Sequence, residues 1–226
     1  GKVDPATIEP AWNLRREGET PWDPLAVATE AIGSGDPGAW LERRLPRPNL
    51  YRELVAALAR YRAIAAAGGW PSVQSGKTLH RGDVDPRVPV VVRRLTVSGD
   101  YGAGSAPKGD TFDAALEQAV RTFQLRHGLD ADGAVGPATL AALNVPVAAR
   151  IDQIRLNLER GRWVFENLAD RFLVVNIASF QAFLVEHDQP VWTARTVVGR
   201  YYRQTPTFRG AIQYLVLNPP WTVPPT

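Results

Sequence analysis

The sequence predicts an α+β fold with helices in the first part of the chain and strands in the last part. Up to about residue 168, apolar side chains recur at spacings of three and four, as on the buried face of an amphipathic helix. From residue 171 the pattern changes to short runs of β-branched and aromatic residues, which are typical of strands. The 19 glycines and 19 prolines predict short elements joined by tight loops.

Composition limits both fold and function. Hydrophobic residues make up 45% of the 226 residues, which is enough to build the cores of more than one domain. The net charge of +3 comes without a dense block of Lys and Arg, so a mixed surface is favoured over a nucleic-acid partner. No run of about 18 apolar residues occurs, so no transmembrane segment is expected in this chain.

The chain contains no cysteine and no methionine, and its three histidines are scattered. Without cysteine there is no disulfide, no thiolate nucleophile and no cysteine-type zinc site, and we expect no metal site. The missing methionine and the Gly1-Lys2 start indicate an expression scar or an excised fragment, and a chain that starts inside a longer protein would have lost its signal sequence.

The first helices are predicted from their starts. Residues 1–23 show no clean period, and we interpret them as an extended lead-in. Asp23-Pro24 fits a cap followed by proline at the first helical position, and Asp36-Pro37 repeats this start for a second short helix.

The clearest helical pattern covers residues 49–67. Asn49 fits the cap of this helix and Gly68-Gly69 fits its end. One apolar stripe must pack against another element, where each large side chain would contribute about 1.5–3 kcal/mol. The stripe consists of Leu50, Leu54, Ala57, Leu58, Tyr61, Ile64 and Ala65.

Residues 110–145 predict a compact unit of two helices. Apolar residues from Phe112 to Phe123 share one helical face, and Gly128 ends that helix. A turn over 130–133 follows, and Gly136-Pro137 then starts a second helix.

The spacing of short motifs in this unit resembles the three-helix peptidoglycan-binding module of bacterial wall enzymes. The resemblance implies a first helix over residues 88–99, although the β-branched run at 90–92 favours a strand. It also makes the Gly-rich stretch 99–110 an inserted flexible loop. The residues that carry the resemblance include Phe123, Gln124, Asp132, Gly133, Gly136 and Thr139.

A further helix is predicted over residues 150–168, with Trp163 on its apolar face. Strands are then predicted over 172–177, 180–186, 191–198 and 212–217. The pair His187-Asp188 fits a hairpin turn between two of these strands.

Several short motifs occur in order from residue 150 onward. They are Arg150-Ile151, the run from Ile154 to Arg160, the run from Val174 to Ile177, Val198-Gly199, Arg203-x-Thr205-Pro206 and Asn218-Pro219-x-Trp221. With them, residues 150–226 are similar to the start of a YkuD-type L,D-transpeptidase of the long Gram-negative form, and residues 24–68 look like the scaffold domain of the same enzymes. The similarity implies peptidoglycan crosslinking, in which the acyl group of a Cys acyl-enzyme formed with a donor stem peptide is transferred to the amine of an acceptor stem. It implies no cofactor.

The sequence departs from this family at the catalytic residues. The family's nucleophile is a Cys in a His-Gly-Cys motif that follows the Pro-Pro stretch, and His80, His127 and His187 match neither catalytic histidine. We therefore assign no catalytic residue and predict that this chain alone is inactive. By resemblance, substrate contacts are expected at Tyr202, Arg203, Thr205, Pro206, Asn218 and Trp221.

Other functional interpretations are weaker. Ser179 lies near His187 in sequence, but no orienting carboxylate is evident beyond those that flank the histidine. Asp130 and Asp132 are more typical of a turn than of an acid–base pair. Aromatic residues could form a glycan platform, but core packing is favoured for Trp163 and Phe208, with one of Tyr201 and Tyr202 exposed.

These observations predict four regions. They are a partial helical scaffold domain (1–87), the peptidoglycan-binding module (88–147), a scaffold or connecting helix (148–170) and the N-terminal part of a catalytic domain (171–226). A sheet without its later strands would expose edges and apolar faces, so self-association or local disorder is expected near 210–226.

The predicted partner is peptidoglycan, both its glycan strands and its stem peptides, in the periplasm or cell envelope of a bacterium. An alternative is a non-catalytic protein that anchors to the wall, with residues 171–226 as an unrelated β domain. A structural regulator with a degenerate catalytic domain is the third possibility.

Overall fold

The computed structural model describes residues 23–46, 49–102, 109–165, 168–200, 202–214 and 216–218. In this part of the chain seven helices precede a three-stranded antiparallel sheet, which confirms the predicted α+β fold. The helices are α1 (Pro24–Gly33), α2 (Pro37–Arg43), α3 (Asn49–Ala66), α4 (Val88–Ser98), α5 (Ala114–Arg126), α6 (Pro137–Leu143) and α7 (Val147–Val164). The strands are β1 (Arg171–Asn176), β2 (Gln181–Glu186) and β3 (Gln189–Arg195).

The two short helices begin at the predicted caps. The Asp23 carboxylate accepts a hydrogen bond from the Leu25 N–H at 2.9 Å, and Asp36 accepts one from the Ala39 N–H at 2.9 Å. A proline follows each cap, where a missing N–H costs no helical hydrogen bond. The predicted lead-in over residues 1–22 lies outside the described residues.

Helices α3 and α7 pack against each other, although α4, α5 and α6 lie between them in the chain. Tyr51 of α3 is buried against Gly161 of α7, and its hydroxyl accepts a hydrogen bond from Arg162 Nε at 3.0 Å. The apolar stripe of α3 therefore has the partner it requires. One predicted member of the stripe, Leu50, is 54% exposed in the first turn of α3.

The ends of both long helices differ slightly from the prediction. Asn49 is the first residue of α3 rather than its cap. Helix α7 starts at Val147 and ends at Val164, earlier at both ends than the predicted 150–168, because Pro146 in extended conformation sets its start. Trp163 is buried, which confirms the core role favoured for it.

Helices α4, α5 and α6 surround one apolar core. Helix α4 forms despite its valine run, because Val91 and Val92 are buried in this core, and burial outweighs a small difference in propensity. Gly99 then ends α4 with φ of 83°, a left-handed conformation that favours glycine. The predicted flexible loop falls largely on residues 103–108, outside the described residues. The core consists of Val73, Leu79, Val88, Val91, Val92, Leu95, Tyr101, Phe112, Leu116, Ala119, Val120, Phe123, Val135 and Leu143.

The two ends of this helical module lie side by side. The Trp70 indole N–H donates to the Val145 carbonyl at 3.1 Å. The Asn144 side chain pairs with the backbone of Val73, accepting from its N–H and donating to its carbonyl, both at 2.8 Å. The module is thus inserted between two helices that pack together, and the sequence did not predict the contact between these two helices.

Strand β2 lies in the middle of the sheet, antiparallel to β1 on one side and β3 on the other. His187 and Asp188 join β2 to β3 with φ of 49° and 63°, as a tight two-residue hairpin turn requires. The predicted hairpin turn at these two residues is therefore confirmed.

The prediction of a last strand over residues 212–217 is wrong. Residues 212–214 and 216–217 pair with no other described strand, and Ile212 is 70% exposed. A strand exists through its ladder of hydrogen bonds, so an alternating apolar pattern without a partner does not make one. Strand β3 also ends at Arg195, short of the predicted Val198, and Phe208 is exposed rather than packed in a core.

Candidate functional site

The loop between α5 and α6 is held by the side chain of Gln124, which is 1% exposed. Its amide nitrogen donates to Asp132 Oδ1 at 2.7 Å, the Ala134 carbonyl at 3.0 Å and Thr139 Oγ1 at 3.0 Å. Its amide oxygen accepts from the Gly133 N–H at 2.9 Å. We call these five residues the Gln124 cluster, and they fix residues 132–139 in one conformation.

Asp132 acts as the turn former that the sequence predicts. Its carboxylate accepts from the Ala134 N–H at 2.9 Å, and this bond, together with that from Gln124, lowers the pKa of Asp132 below its usual range. Gly133 follows with φ of 79°, where a Cβ atom would also come within 2.8 Å of the Glu117 side chain.

The predicted module residues therefore divide into two groups. Phe123, Gln124, Gly133 and Thr139 are buried, so they position the loop from inside. Asp132 is exposed, and Gly136 is half-buried at the cap of α6. Of the six, Asp132 offers the most open surface to a ligand.

The outer surface of the same loop carries charged residues that the sequence prediction missed. Arg121 donates to the Ala131 carbonyl and pairs with Glu117 at 2.9 Å, four residues earlier on α5. Arg81 approaches Glu117 at 3.7 Å from the loop before α4. The one feature of the sequence that could have indicated these residues is the spacing of four between Glu117 and Arg121, which allows an ion pair on one face of a helix.

The segment after β3 folds back on itself around Gly199. The Gly199 N–H donates to Thr205 Oγ1 at 2.7 Å, and the Arg203 N–H donates to the Arg200 carbonyl at 2.8 Å. A Cβ atom at Gly199 would overlap the Arg203 carbonyl, so only glycine allows this approach. A shallow concavity of roughly 530 Å³ results, lined by Val198, Gly199, Arg200, Tyr202 and Arg203.

This concavity brings together part of the predicted substrate-contact set. Tyr202, Arg203 and Thr205 lie around Gly199, and Tyr202 is 71% exposed. Pro206 follows directly and is exposed, whereas Asn218 lies 12 residues further along in a left-handed conformation with φ of 51°. Trp221 lies outside the described residues.

The charge of this segment was not used in the prediction. After Asp188 the sequence contains no Asp or Glu and four arginines, at positions 195, 200, 203 and 209. The Arg200 guanidinium donates to the Tyr202 hydroxyl at 3.1 Å, so one arginine is already oriented beside the concavity. Such a surface favours anionic ligands.

Several other site types find no support in the described residues. Ser179 and His187 lie in the turns at opposite ends of β2, about 20 Å apart at the usual rise of a strand, so they cannot form a catalytic pair. No group of three or more His, Cys, Asp or Glu side chains that could hold a metal ion occurs across the described ranges. Among these ranges, no helix has the length and hydropathy of a membrane span.

Comparison with known proteins agrees with both resemblances. Residues 85–143 match the family described as "Putative peptidoglycan binding domain", and residues 170–226 match the L,D-transpeptidase catalytic domain. The N-acetylmuramoyl-L-alanine amidase CwlM of Mycobacterium tuberculosis is 39% identical over 80 residues, which cover 32% of this chain and 20% of that protein. The two family matches confirm the predicted combination of domains and indicate a protein of the cell envelope.

Proposed function

From a chain that joins a peptidoglycan-binding module to L,D-transpeptidase catalytic-domain sequence, we propose that this protein binds peptidoglycan and serves to crosslink it. The observation that carries the proposal is the order of the two matches, 85–143 and then 170–226, in one chain. Binding is assigned to the module, and acyl transfer to the complete catalytic domain. The periplasm is the proposed location.

The module supports this proposal through its rigid loop. The Gln124 cluster holds residues 132–139 from inside, so the exposed groups on the outside are presented in a fixed arrangement. The polar side chains on this surface include Asp132, Arg81 and Arg121, and Glu117 pairs with both arginines. A prearranged surface loses little conformational entropy when a glycan or stem peptide binds.

The segment around Gly199 is proposed as an approach for the stem peptide. Tyr202, Arg203, Thr205 and Pro206 would contact it, with Asn218 and Trp221 further along the chain. Stem peptides carry carboxylates, and the surplus of arginines in this segment matches that charge.

The chemistry of the proposed reaction needs a residue that this chain lacks. A cysteine thiolate would attack the carbonyl of the donor stem, and the bond to the leaving amine would break to give a thioester. The amine of the acceptor stem would then attack that thioester, forming the crosslink and releasing the thiol. Because the chain has no cysteine, we propose that these 226 residues bind but do not catalyse.

Retention on purified sacculi tests the binding proposal. We expect the chain to sediment with sacculi and to be released when the sacculi are digested to soluble muropeptides. A chain in which residues 73–144 are replaced by a short linker is the matched control, since the paired ends at Val73 and Asn144 allow α3 and α7 to stay together. Failure of the intact chain to sediment would remove the proposed function.

The alternative is a wall anchor without catalysis, which predicts the same retention. The reading frame after Thr226 separates the two. A His-Gly-Cys motif within about 150 residues, one further domain length, together with thioester formation on that cysteine supports the enzyme. Retention without any such cysteine supports the anchor.

The proposed division of the chain keeps the predicted regions 1–87, 88–147, 148–170 and 171–226 with one change: Val73 and Leu79 belong to the core of the module, so its first boundary is placed near residue 70. Limited proteolysis of the folded chain would show whether cleavage concentrates between these regions.

A further inference from the structure

Three arginines converge where the module meets the helix pair. Arg94 comes from α4, Arg126 from the last turn of α5 and Arg150 from the first turns of α7. Arg94 Nε donates to the Leu143 carbonyl at 2.8 Å and Arg150 Nη2 donates to the adjacent Ala142 carbonyl at 3.3 Å, and the charge of Arg126 acts on both arginines. The other titratable groups that act on this arginine cluster are Tyr61, Asp100 and His127.

Positive charge exceeds negative charge in this cluster. Asp100 is the one carboxylate among the described groups that act on it, and it already pairs with Arg126 at 2.6 Å and accepts from the Ser98 hydroxyl at 2.6 Å. Arg94 and Arg150 have no ion pair with a described residue. Three guanidinium groups thus share one carboxylate in a partly buried position.

Two hydrogen-bond donors of the arginine cluster are also left over. Arg94 is 1% exposed, donates from Nε to the Leu143 carbonyl at 2.8 Å and stacks on Trp70 at 3.9 Å from the ring centroid. Its Nη1 and the Nε of Arg150 are buried without a hydrogen-bond partner among the described residues. Buried charged donors are costly to leave unpaired, so this arrangement is suited to an added acceptor.

The protonation energetics agree with a surplus of positive charge. Burial is the main cause that lowers the pKa of Arg94 to about 10, with the charges of Arg150 and Arg126 acting in the same direction and Tyr61 and Asp100 acting against them. Burial and then the charge of Arg126 also lower the pKa of Arg150, against the effect of Tyr61. An anion at this position would relieve both effects.

We propose that Arg94, Arg126 and Arg150 form a binding site for a carboxylate of a peptidoglycan stem peptide. The assignment of the carboxylate to a stem peptide rests on the proposed function, whereas the anion site itself does not. Arg126 is 35% exposed and Arg150 is half-buried, so the ligand reaches the cluster from their side. Planar guanidinium groups match the two oxygens of a carboxylate, which glycan hydroxyls do not.

Inorganic phosphate is the first probe, because it tests the anion site without peptidoglycan. We expect phosphate to raise the unfolding temperature of the chain more than chloride does at equal ionic strength, with saturation. Arg150→Gln should weaken this effect about tenfold or more, and Arg150→Lys should restore part of it. Arg155→Gln, an exposed change on the same helix, should leave it unchanged.

Soluble muropeptides are the second probe. A muramyl peptide with a free stem carboxylate should bind the wild-type chain more tightly than its amidated form, and Arg150→Gln should abolish this preference. Equal effects of phosphate on the unfolding temperatures of the wild-type chain and Arg150→Gln would overturn the site, because Arg150 would then contribute nothing to phosphate binding. Phosphate binding without a preference for the free carboxylate would overturn the stem-peptide assignment.

The two proposals fail separately. Retention of Arg150→Gln on sacculi at wild-type strength, with no muropeptide preference in either chain, would remove the stem-peptide assignment and leave wall binding intact. Loss of sacculus retention in the wild-type chain would remove the proposed function, while a phosphate effect that depends on Arg150 would still support an anion site.

Discussion

Gln124 shows how one buried polar side chain can organise a whole loop. Its amide group reaches two side chains and two backbone groups that lie between 8 and 15 residues away in sequence. A buried amide is tolerated only where its hydrogen bonds are made, and here both its oxygen and its nitrogen are used. The residue is therefore as much a part of the module core as Phe123 beside it.

We predict that Gln124→Leu lowers the free energy of unfolding of the module by about 2–3 kcal/mol. The leucine would leave the Gly133 N–H and the Ala134 carbonyl without the partner that they have in the folded chain. Urea unfolding, followed by tryptophan fluorescence, measures this change. Gln118→Leu on the exposed face of the same helix is the control and should change stability by about 0.5 kcal/mol at most. Equal stabilities of the two variants would contradict the role of the cluster.

For single residues, the sequence predicted those roles that depend only on neighbours in the chain. Asp132 and the His187-Asp188 turn follow from rules that involve only neighbours, and the structure confirms both. The arginine cluster could not be predicted, because Arg94, Arg126 and Arg150 meet only through the packing of three helices. Nothing in their spacing indicates that they come together.

Local propensity alone would wrongly predict a strand where helix α4 forms. The valines at 90–92 favour a strand, but Val91 and Val92 face a core built largely from α5 and from the loops around it. The resemblance of residues 112–144 to a three-helix module supplied the tertiary context that the propensity lacked. The prediction of a strand over 212–217 was wrong for the opposite reason. The residue pattern there is typical of a strand, but no described strand lies beside it.

The packing of α3 on α7 depends on a glycine. We predict that Gly161→Ala destabilises the chain by about 1 kcal/mol, although alanine is the better helix former. The new Cβ atom would come within 3.0 Å of the Tyr51 ring, which is buried and held by Arg162. Thermal unfolding by circular dichroism measures the effect.

Gly33→Ala, at the end of α1 with open space around it, is the matched control and should be neutral or slightly stabilising. A Gly161→Ala variant that is as stable as the wild-type chain would show that Tyr51 moves aside freely.

At the scale of the whole molecule, the sheet is the least covered part. Leu173 of β1 and Trp192 of β3 flank Leu184 on one face and are 45% and 51% exposed. Phe172, Val174 and Phe183 line the other face, and both outer strands present free edges to solvent among the described residues. The sequence analysis expected exposed edges and faces from a sheet without its later strands and placed the consequence near 210–226, whereas the exposure described here lies on β1 and β3.

We predict that the 226-residue chain self-associates through this sheet, because apolar faces and unpaired edges both favour contact between copies. Sedimentation velocity over a range of concentrations should show a shift from monomer to larger species. Leu173→Lys should reduce it, whereas Thr193→Lys, which points to the opposite face, should reduce it less. A chain that stays monomeric at high concentration would rule out this prediction.

The insertion of the module between α3 and α7 has a mechanical consequence. A domain on a single flexible linker can swivel, and the linker carries the whole of any pulling force. Here the chain enters through Trp70 and Val73 and leaves through Asn144 and Val145, so two chain segments joined by hydrogen bonds carry the force in parallel. A cell wall that stretches and pulls on the module would therefore transmit the force directly to the helix pair. The two connections would resist twisting of the module as well as its extension.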